Sequence, residues 1–492
     1  MKMKLCSFCV LSGLFLGAFA EGTATLADGV LTLDGVVKEV ASEAALGDGV
    51  ASVVMQNGGG VAFTQSVTAE KTYSIAGDGL ASTGIVSVAA GKTFSVTGAR
   101  LAKGSVGHVL VKRGPGTLAS SSVAAAAGAP TRFVVEAGTF QCTAGDFWGG
   151  HSTANTNVTI DVREGATYDH GTSHGVVGPV ELTGARFLSR NDAPYNNQWA
   201  DASLDGGVTA HACATDSYMH FESWGFLGHC NRTNCAFNVE AGARLIVDGV
   251  LSNGFSNTLP NRLIKRGAGE LVLLSHGGWT GGTVLEGGTV TVADPMALWT
   301  GAVTLAGDVT LNVPAGTTFV CPPVKGAGTL TKKGAGVATF PTVADTVTLV
   351  VAEAGGQTSP VKDGVLSLHG GEIALDVPAG QTLEIASLVE AVPGAGKYAD
   401  IVKTGAGTLV LPTGSANKYA KLTVKGGFVA VANESCFGSA GVTVQDGAGL
   451  RFLASFNQAR SRITCKGRPR STCRRASRSA SIRTTSSPRA AP

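Results

Sequence analysis

The chain holds 492 residues, of which 69 are glycine, 15% are charged and only 6% are aromatic. Glycine spread so evenly excludes long helices, because each interior glycine costs a helix about 1 kcal/mol, and a hydrophobic content of 44% excludes wholesale disorder. The formal net charge of +3 joins unlike parts: Arg460 to Pro492 carry nine Arg and one Lys without an acid, which leaves residues 1–459 with 28 basic and 35 acidic groups.

Residues 1–20 read as a secretory signal peptide. Lys2 and Lys4 precede a short apolar stretch from Leu5 to Phe19, and Ala18-Phe19-Ala20 supplies the small-x-small cleavage pattern. Glu21 rather than a cysteine stands directly after that point, so no lipid anchor is expected, and no later apolar run reaches the 18–20 residues of a membrane helix. Export is the first functional expectation.

Residues 21–141 open a glycine-punctuated β pattern that returns over residues 238–456. One phrase occurs four times, at Lys112-Arg113-Gly114-Pro115-Gly116-Thr117-Leu118, Lys265-Arg266-Gly267-Ala268-Gly269-Glu270-Leu271, Lys332-Lys333-Gly334-Ala335-Gly336-Val337 and Lys403-Thr404-Gly405-Ala406-Gly407-Thr408-Leu409. A second phrase follows about 20 residues later, as in Glu136-Ala137-Gly138-Thr139 and Glu286-Gly287-Gly288-Thr289. A looser turn phrase lies between them, as in Val88-Ala89-Ala90-Gly91 and Val239-Glu240-Ala241-Gly242. Thr289-Val290-Thr291-Val292 shows the period-2 alternation of a strand with one buried face. A unit of about 20 residues holds two or three short strands and cannot bury a face alone, so successive units must stack. The predicted fold is all-β: a right-handed parallel β-helix, or β-solenoid.

The glycine rhythm weakens over residues 142–237. This stretch carries six of the nine His and three of the five Trp, and it is expected to form an irregular insert or loop-rich rungs. Tyr195, Asn196, Trp199 and Asp201 are the candidate ligand-binding residues, since aromatic faces and amides suit sugar rings; packing inside the insert's own small core is the alternative. Cys213, Cys230 and Cys235 are candidates for a disulfide in an exported chain, with the connectivity open. A metal reading of the His and Cys residues lacks a second paired set, so no metal and no cofactor is expected.

Residues 263–313 run from Lys-x-Gly-x-Gly through Trp279-Thr280-Gly281-Gly282-Thr283 and Glu286-Gly287-Gly288-Thr289-Val290 to a Val-Thr-Leu strand. They resemble the autotransporter-associated β-strand repeat, the passenger-associated transport repeat of bacterial type V secretion. Residues 401–452 resemble it too, with Asn417-Lys418-Tyr419 in the middle slot. The resemblance implies a β-helical passenger that crosses the outer membrane and stands at the cell surface or outside it. It also implies a C-terminal translocator barrel, and here a basic tail follows instead. Residues 457–492 are expected to be disordered, and the abrupt change of composition near residues 456–460 reads as a shift of reading frame. A nucleic-acid partner is not expected.

Catalysis finds little support in the sequence. There is no Gly-x-Ser-x-Gly, no His-Glu-x-x-His and no phosphate-binding Gly-x4-Gly-Lys-Ser/Thr. Asp192, Asp201 and Asp205 are near one another only in sequence, whereas glycosidic cleavage needs two carboxylates facing across one cleft. The expectation is an adhesin-like or structural rod whose partners are host or environmental glycans or surface proteins. A polysaccharide-binding or polysaccharide-cleaving β-helix, a lyase or glycoside hydrolase, is the alternative.

Overall fold

The computed structural model describes residues 22–76, 82–98, 101, 107–121, 131–143, 158–171, 174–190, 201–227, 234–253, 260–334, 336–340, 343–344, 346–352, 365–368, 372–377, 379–385, 387–390, 400–411, 421–437, 440–454, 463–466 and 483–484. Strand signatures dominate them: Leu422–Val424 buries its first and last residues, while Thr318–Val320 buries only its middle one. The helical content described is two four-residue 3-10 turns, Glu43–Leu46 and Glu434–Phe437.

The first pairing is a hairpin. Thr23–Ala27 runs antiparallel to Val30–Asp34 and turns through Asp28 (φ 49°) and Gly29 (φ 77°). Two positive φ values in succession suit an Asp-Gly turn whose twist matches the strands it joins. Every other pairing among the described strands is parallel, each strand lying on its counterpart one turn of chain away. This is the β-solenoid that the 20-residue repeat predicts.

Two long ladders carry the solenoid. One contains 13 strands, from Val37–Val40 through Val109–Arg113 and Arg262–Arg266 to Val324–Gly326. The other runs from Val67–Thr68 through Glu270–Leu273, Gly288–Val292 and Gly328–Lys333 to Asp400–Thr404 and Val442–Val444. Shorter faces complete the rungs, among them Thr382–Glu384, Thr408–Leu411, Phe428–Val431 and Gly449–Phe452. Ile463–Cys465, inside the tail expected to be disordered, adds a strand to Val442–Val444. Its Ile-Thr-Cys composition suits a rung, and Cys465 is buried.

The interior is a set of stacked columns. In the second ladder Phe94, Leu118, Phe140, Tyr168, Phe187 and Met219 follow one another in register, each with 0% exposure. Neighbouring rings lie 5.7 Å apart for Phe140 and Tyr168 and 5.1 Å for Tyr168 and Phe187. Each such side chain contributes about 1.5–3 kcal/mol on burial.

Of the two expectations for residues 142–237, an irregular insert or loop-rich rungs, the described residues form rungs. Val158–Val162, Val180–Leu182, Val208–Ala210 and Asn234–Val239 continue the first ladder, and Thr167–Asp169, Arg186–Ser189 and Ser217–Phe226 continue the second. Aromatic residues enter the composition because Tyr168, Phe187 and Phe221 occupy inward positions that Val and Leu hold elsewhere. The turns of chain also lengthen. Thr131 stacks on Val158, and Asn234 on Arg262, whereas Leu263 needs only 20 residues to reach Thr283. The longer Ser217–Phe226 pairs with both Arg186–Ser189 and Asp201–Leu204, so the solenoid is wider here.

Candidate functional site

The repeated lysine phrase folds as a corner between two strands. Lys112, Lys265, Lys332 and Lys403 are each 0% exposed. The Lys112 ammonium donates to the carbonyls of Arg113 (2.8 Å), Gly114 (2.7 Å) and Ala137 (2.9 Å). Lys265 does the same with Arg266 (2.8 Å), Gly267 (2.7 Å) and Gly287 (3.2 Å). Lys403 donates to Thr404, to Gly405 (2.9 Å) and to Gly426 (3.2 Å), and Lys332 to Gly334 and Gly336, both at 2.6 Å. An ammonium has three N–H donors and no acceptor, so three converging carbonyls satisfy it. In Lys112, Lys265 and Lys403 the third carbonyl belongs to the next turn of the solenoid, and the lysine ties two rungs together. Burial lowers the pKa of all three lysines to about 8, although Asp376 works against this beside Lys403.

The glycines explain the rest of the phrase. Gly267 has φ +74°, and a Cβ there would stand 2.2 Å from the Val239 carbonyl oxygen; Gly114, Gly334 and Gly405 repeat this with approaches of 2.4, 2.3 and 2.3 Å. The second glycine is as confined, since a Cβ on Gly269 would meet the Glu240 oxygen at 2.2 Å. By contrast, Gly91, Gly316 and Gly380 of the looser phrase have positive φ with nothing within 4 Å, and Gly242 meets only the Ala212 Cβ, at an ordinary 3.7 Å. They serve the turn alone. Arg113 pairs with Glu136 at 2.5 Å and Arg266 with Glu286 at 3.0 Å, joining the two phrases across the outside of the corner. The corner is not bound to one face. Lys112 and Lys265 lie in the first ladder, but Lys332 and Lys403 lie in the second, because Thr318–Val320 starts an additional face with Val337–Thr339.

Outward side chains in the middle of the solenoid form a different kind of surface. Arg186 lies 5.4 Å over the Tyr218 ring, and the Tyr218 and His220 rings are parallel to within 6°. The Tyr218 hydroxyl donates to Asp248 (2.8 Å), His220 Nδ1 lies 3.2 Å from the same carboxylate oxygen, and Ser275 reaches the other at 3.4 Å. Burial alone would raise the Asp248 pKa, but the hydrogen bonds from Tyr218, His220 and Ser275 and the charge of His220 hold it below the usual carboxylate value. Beyond Ser275, the His276 and Trp299 rings lie 6.1 Å apart. Trp299 adopts φ 52°, a left-handed conformation costly for a bulky residue. Leu274, two residues before His276, and Met296, whose carbonyl accepts from Trp299 N, are 42% and 45% exposed.

The residues proposed from sequence are not all brought into view. Tyr195, Asn196 and Trp199 lie outside the described residues, as does Cys230. Asp201 begins the strand Asp201–Leu204, in register between His174 and Trp224. Cys213 and Cys235 stand as free thiols in this structure, the first half-buried and the second fully buried in a strand of the first ladder. Their separation follows from the fold: Cys235 points into the core, and Cys213 lies on a connection. His170 is buried against Tyr168 at 3.3 Å, and His211 lies 3.2 Å from Glu240. Sequence reasoning passed over Tyr218, His220, Asp248, His276 and Trp299. The Tyr218-x-His220 alternation was a usable signal, but Asp248 and Ser275 join it only through the register between rungs.

Known proteins meet the chain in the lysine corners. The passenger-associated-transport-repeat family matches residues 263–292 and 401–431, the segments that hold Lys265 and Lys403 with their glycines. No curated protein and no solved structure matches the chain. The protein is a parallel β-solenoid that carries two passenger-associated transport repeats, the repeat of autotransporter passengers.

Proposed function

We propose that the protein is an exported, passenger-like rod that works at the bacterial surface or outside the cell by non-covalent contact, as adhesins and surface scaffolds do. The observation that carries this reading is the place of the transport repeats, built into an extended ladder as its corners. A solenoid supplies reach and rigidity, and its outward side chains supply any specificity. The outer membrane is its partner in transit, and glycans or surface proteins are its partners afterwards.

The test joins residues 21–454 to a signal peptide and to an autotransporter translocator barrel. Added protease should cleave the passenger on intact cells. Protection in intact cells, with cleavage only after the outer membrane is opened, would contradict export. Turnover is tested separately, by incubating the purified chain with acidic and neutral polysaccharides. The binding reading predicts no new reducing or unsaturated ends, and their appearance would favour the lyase or hydrolase reading.

A further inference from the structure

We propose that the outward strip from Arg186 through Tyr218, His220 and Asp248 to His276 and Trp299 is the binding surface for an extended neutral oligosaccharide lying along the solenoid axis. This rests on the reading of the protein as a surface binder and gives that binder a site and a ligand class.

The strip departs from the pattern of the ladder that carries it. Where the column continues beyond Tyr218 and Ile246, it is covered: Val272 and Thr291 are 2% and 4% exposed, and Thr291 is tied to Glu270 and Asn312 by hydrogen bonds. Within the strip the chain instead keeps aromatic rings and the exposed Leu274 and Met296. At Trp299 it also keeps a left-handed backbone under a large side chain. Strain of this sort persists only where its surroundings impose it, and such positions concentrate at ligand sites. The surrounding turn is firm: Trp299 N donates to the Met296 carbonyl (2.8 Å), and Met296 N donates to the Asp294 side chain (2.7 Å).

Charge decides the kind of ligand. Arg186 lies on the Tyr218 ring, and Asp248 is held by Tyr218, His220 and Ser275. The two formal charges of the strip, Arg186 and Asp248, are opposite in sign, so together they offer no net charge to an ionic partner. What the strip offers is the His276 and Trp299 rings beside the fixed polar groups around Asp248, which match the C–H faces and hydroxyls of neutral sugars. From Arg186 to Trp299 the strip crosses about four rung spacings, roughly 19 Å at about 4.8 Å each. That length calls for a chain of several sugars rather than a monosaccharide.

The experiment uses the secreted full-length chain on an array of neutral and acidic oligosaccharides, followed by calorimetry with the best neutral ligand. Trp299→Asn removes the ring but keeps a residue that accepts positive φ, and His276→Ala removes its neighbour. The proposal expects binding to a neutral oligosaccharide, at least tenfold weaker in Trp299→Asn and weaker again in the double variant, with circular dichroism unchanged. Binding that is indifferent to both substitutions would overturn it, as would selection of acidic glycans alone or of a protein ligand alone. An array without any neutral ligand, from a chain that still displays on cells, would remove the site while leaving the export reading intact.

Discussion

Replacing Lys265 with Met tests the physical reading of the repeat. The substitution keeps an unbranched apolar stem and removes the ammonium, so the carbonyls of Arg266, Gly267 and Gly287 lose their shared donor. A buried carbonyl left without a partner costs about 1–3 kcal/mol, hence about 6 kcal/mol for three at mid-range. Part of this is offset, because the ammonium itself is costly to bury: its pKa falls from 10.5 to about 8, and each unit corresponds to about 1.4 kcal/mol. The net loss is then about 3 kcal/mol, confined to the rungs that Lys265 joins. Hydrogen exchange reads this locally, at Gly269 N, Glu286 N and Thr289 N, which bond to Val239, Lys265 and Gly269 across the corner. These amides should exchange about 100-fold faster in Lys265→Met, while amides around Phe94 and Leu118 stay as they are. Unchanged or slower exchange at the corner in a folded variant would refute the idea that the lysine holds two rungs together.

The other predictions concern the same corners and the thiols. Gly267→Ala should cost about 3 kcal/mol or more, or prevent secretion, because of its 2.2 Å approach to Val239, whereas Gly242→Ala, with positive φ but only an ordinary 3.7 Å contact to Ala212, should cost about 1–2 kcal/mol; secreted yield and thermal midpoint compare the two. Lys112, Lys265 and Lys403 bind protons less tightly in the folded chain, at about 8, than at the ordinary 10.5. The unfolded chain therefore holds more protons between those values, and stability should rise with pH through that window and stay level with respect to these groups below it. Guanidinium unfolding at pH 7 and 9.5 checks the sign, and the slope should shrink in the triple Met variant. Burial raises the Cys235 and Cys321 thiols, so peptide mapping after brief alkylation of the native chain should find Cys213 modified and these two protected; equal labelling would contradict the buried placement.

The repeat made the solenoid legible. A 20-residue period with glycine turns and Thr-Val alternation leaves few other ways to bury one face of a strand, and the strands from Arg262–Arg266 to Val309–Asn312 follow it closely. The role of the lysine was not legible, because nothing in Lys-x-Gly-x-Gly says whether the ammonium faces water or three carbonyls. Composition left residues 142–237 open between an irregular insert and loop-rich rungs. His and aromatic residues look like a separate subdomain until the register shows Tyr168 and Phe187 filling the same inward column as Phe94 and Leu118. The outward strip was hidden for a related reason: Tyr218 and Asp248 are 30 residues apart in the chain and 2.8 Å apart in space, and the link between them is the length of one widened turn.

Export and stacking can be tested together on whole cells. Thr289 and Thr310, and likewise Thr310 and Thr331, are register partners on adjacent rungs. Thr289→Cys/Thr310→Cys, displayed through a translocator barrel, should cross-link rapidly with a short reagent that cannot cross membranes, and Thr289→Cys/Thr331→Cys, two rungs apart, should not. Failure of the first pair on intact cells, or equal cross-linking of both, would contradict a stacked passenger standing outside the cell.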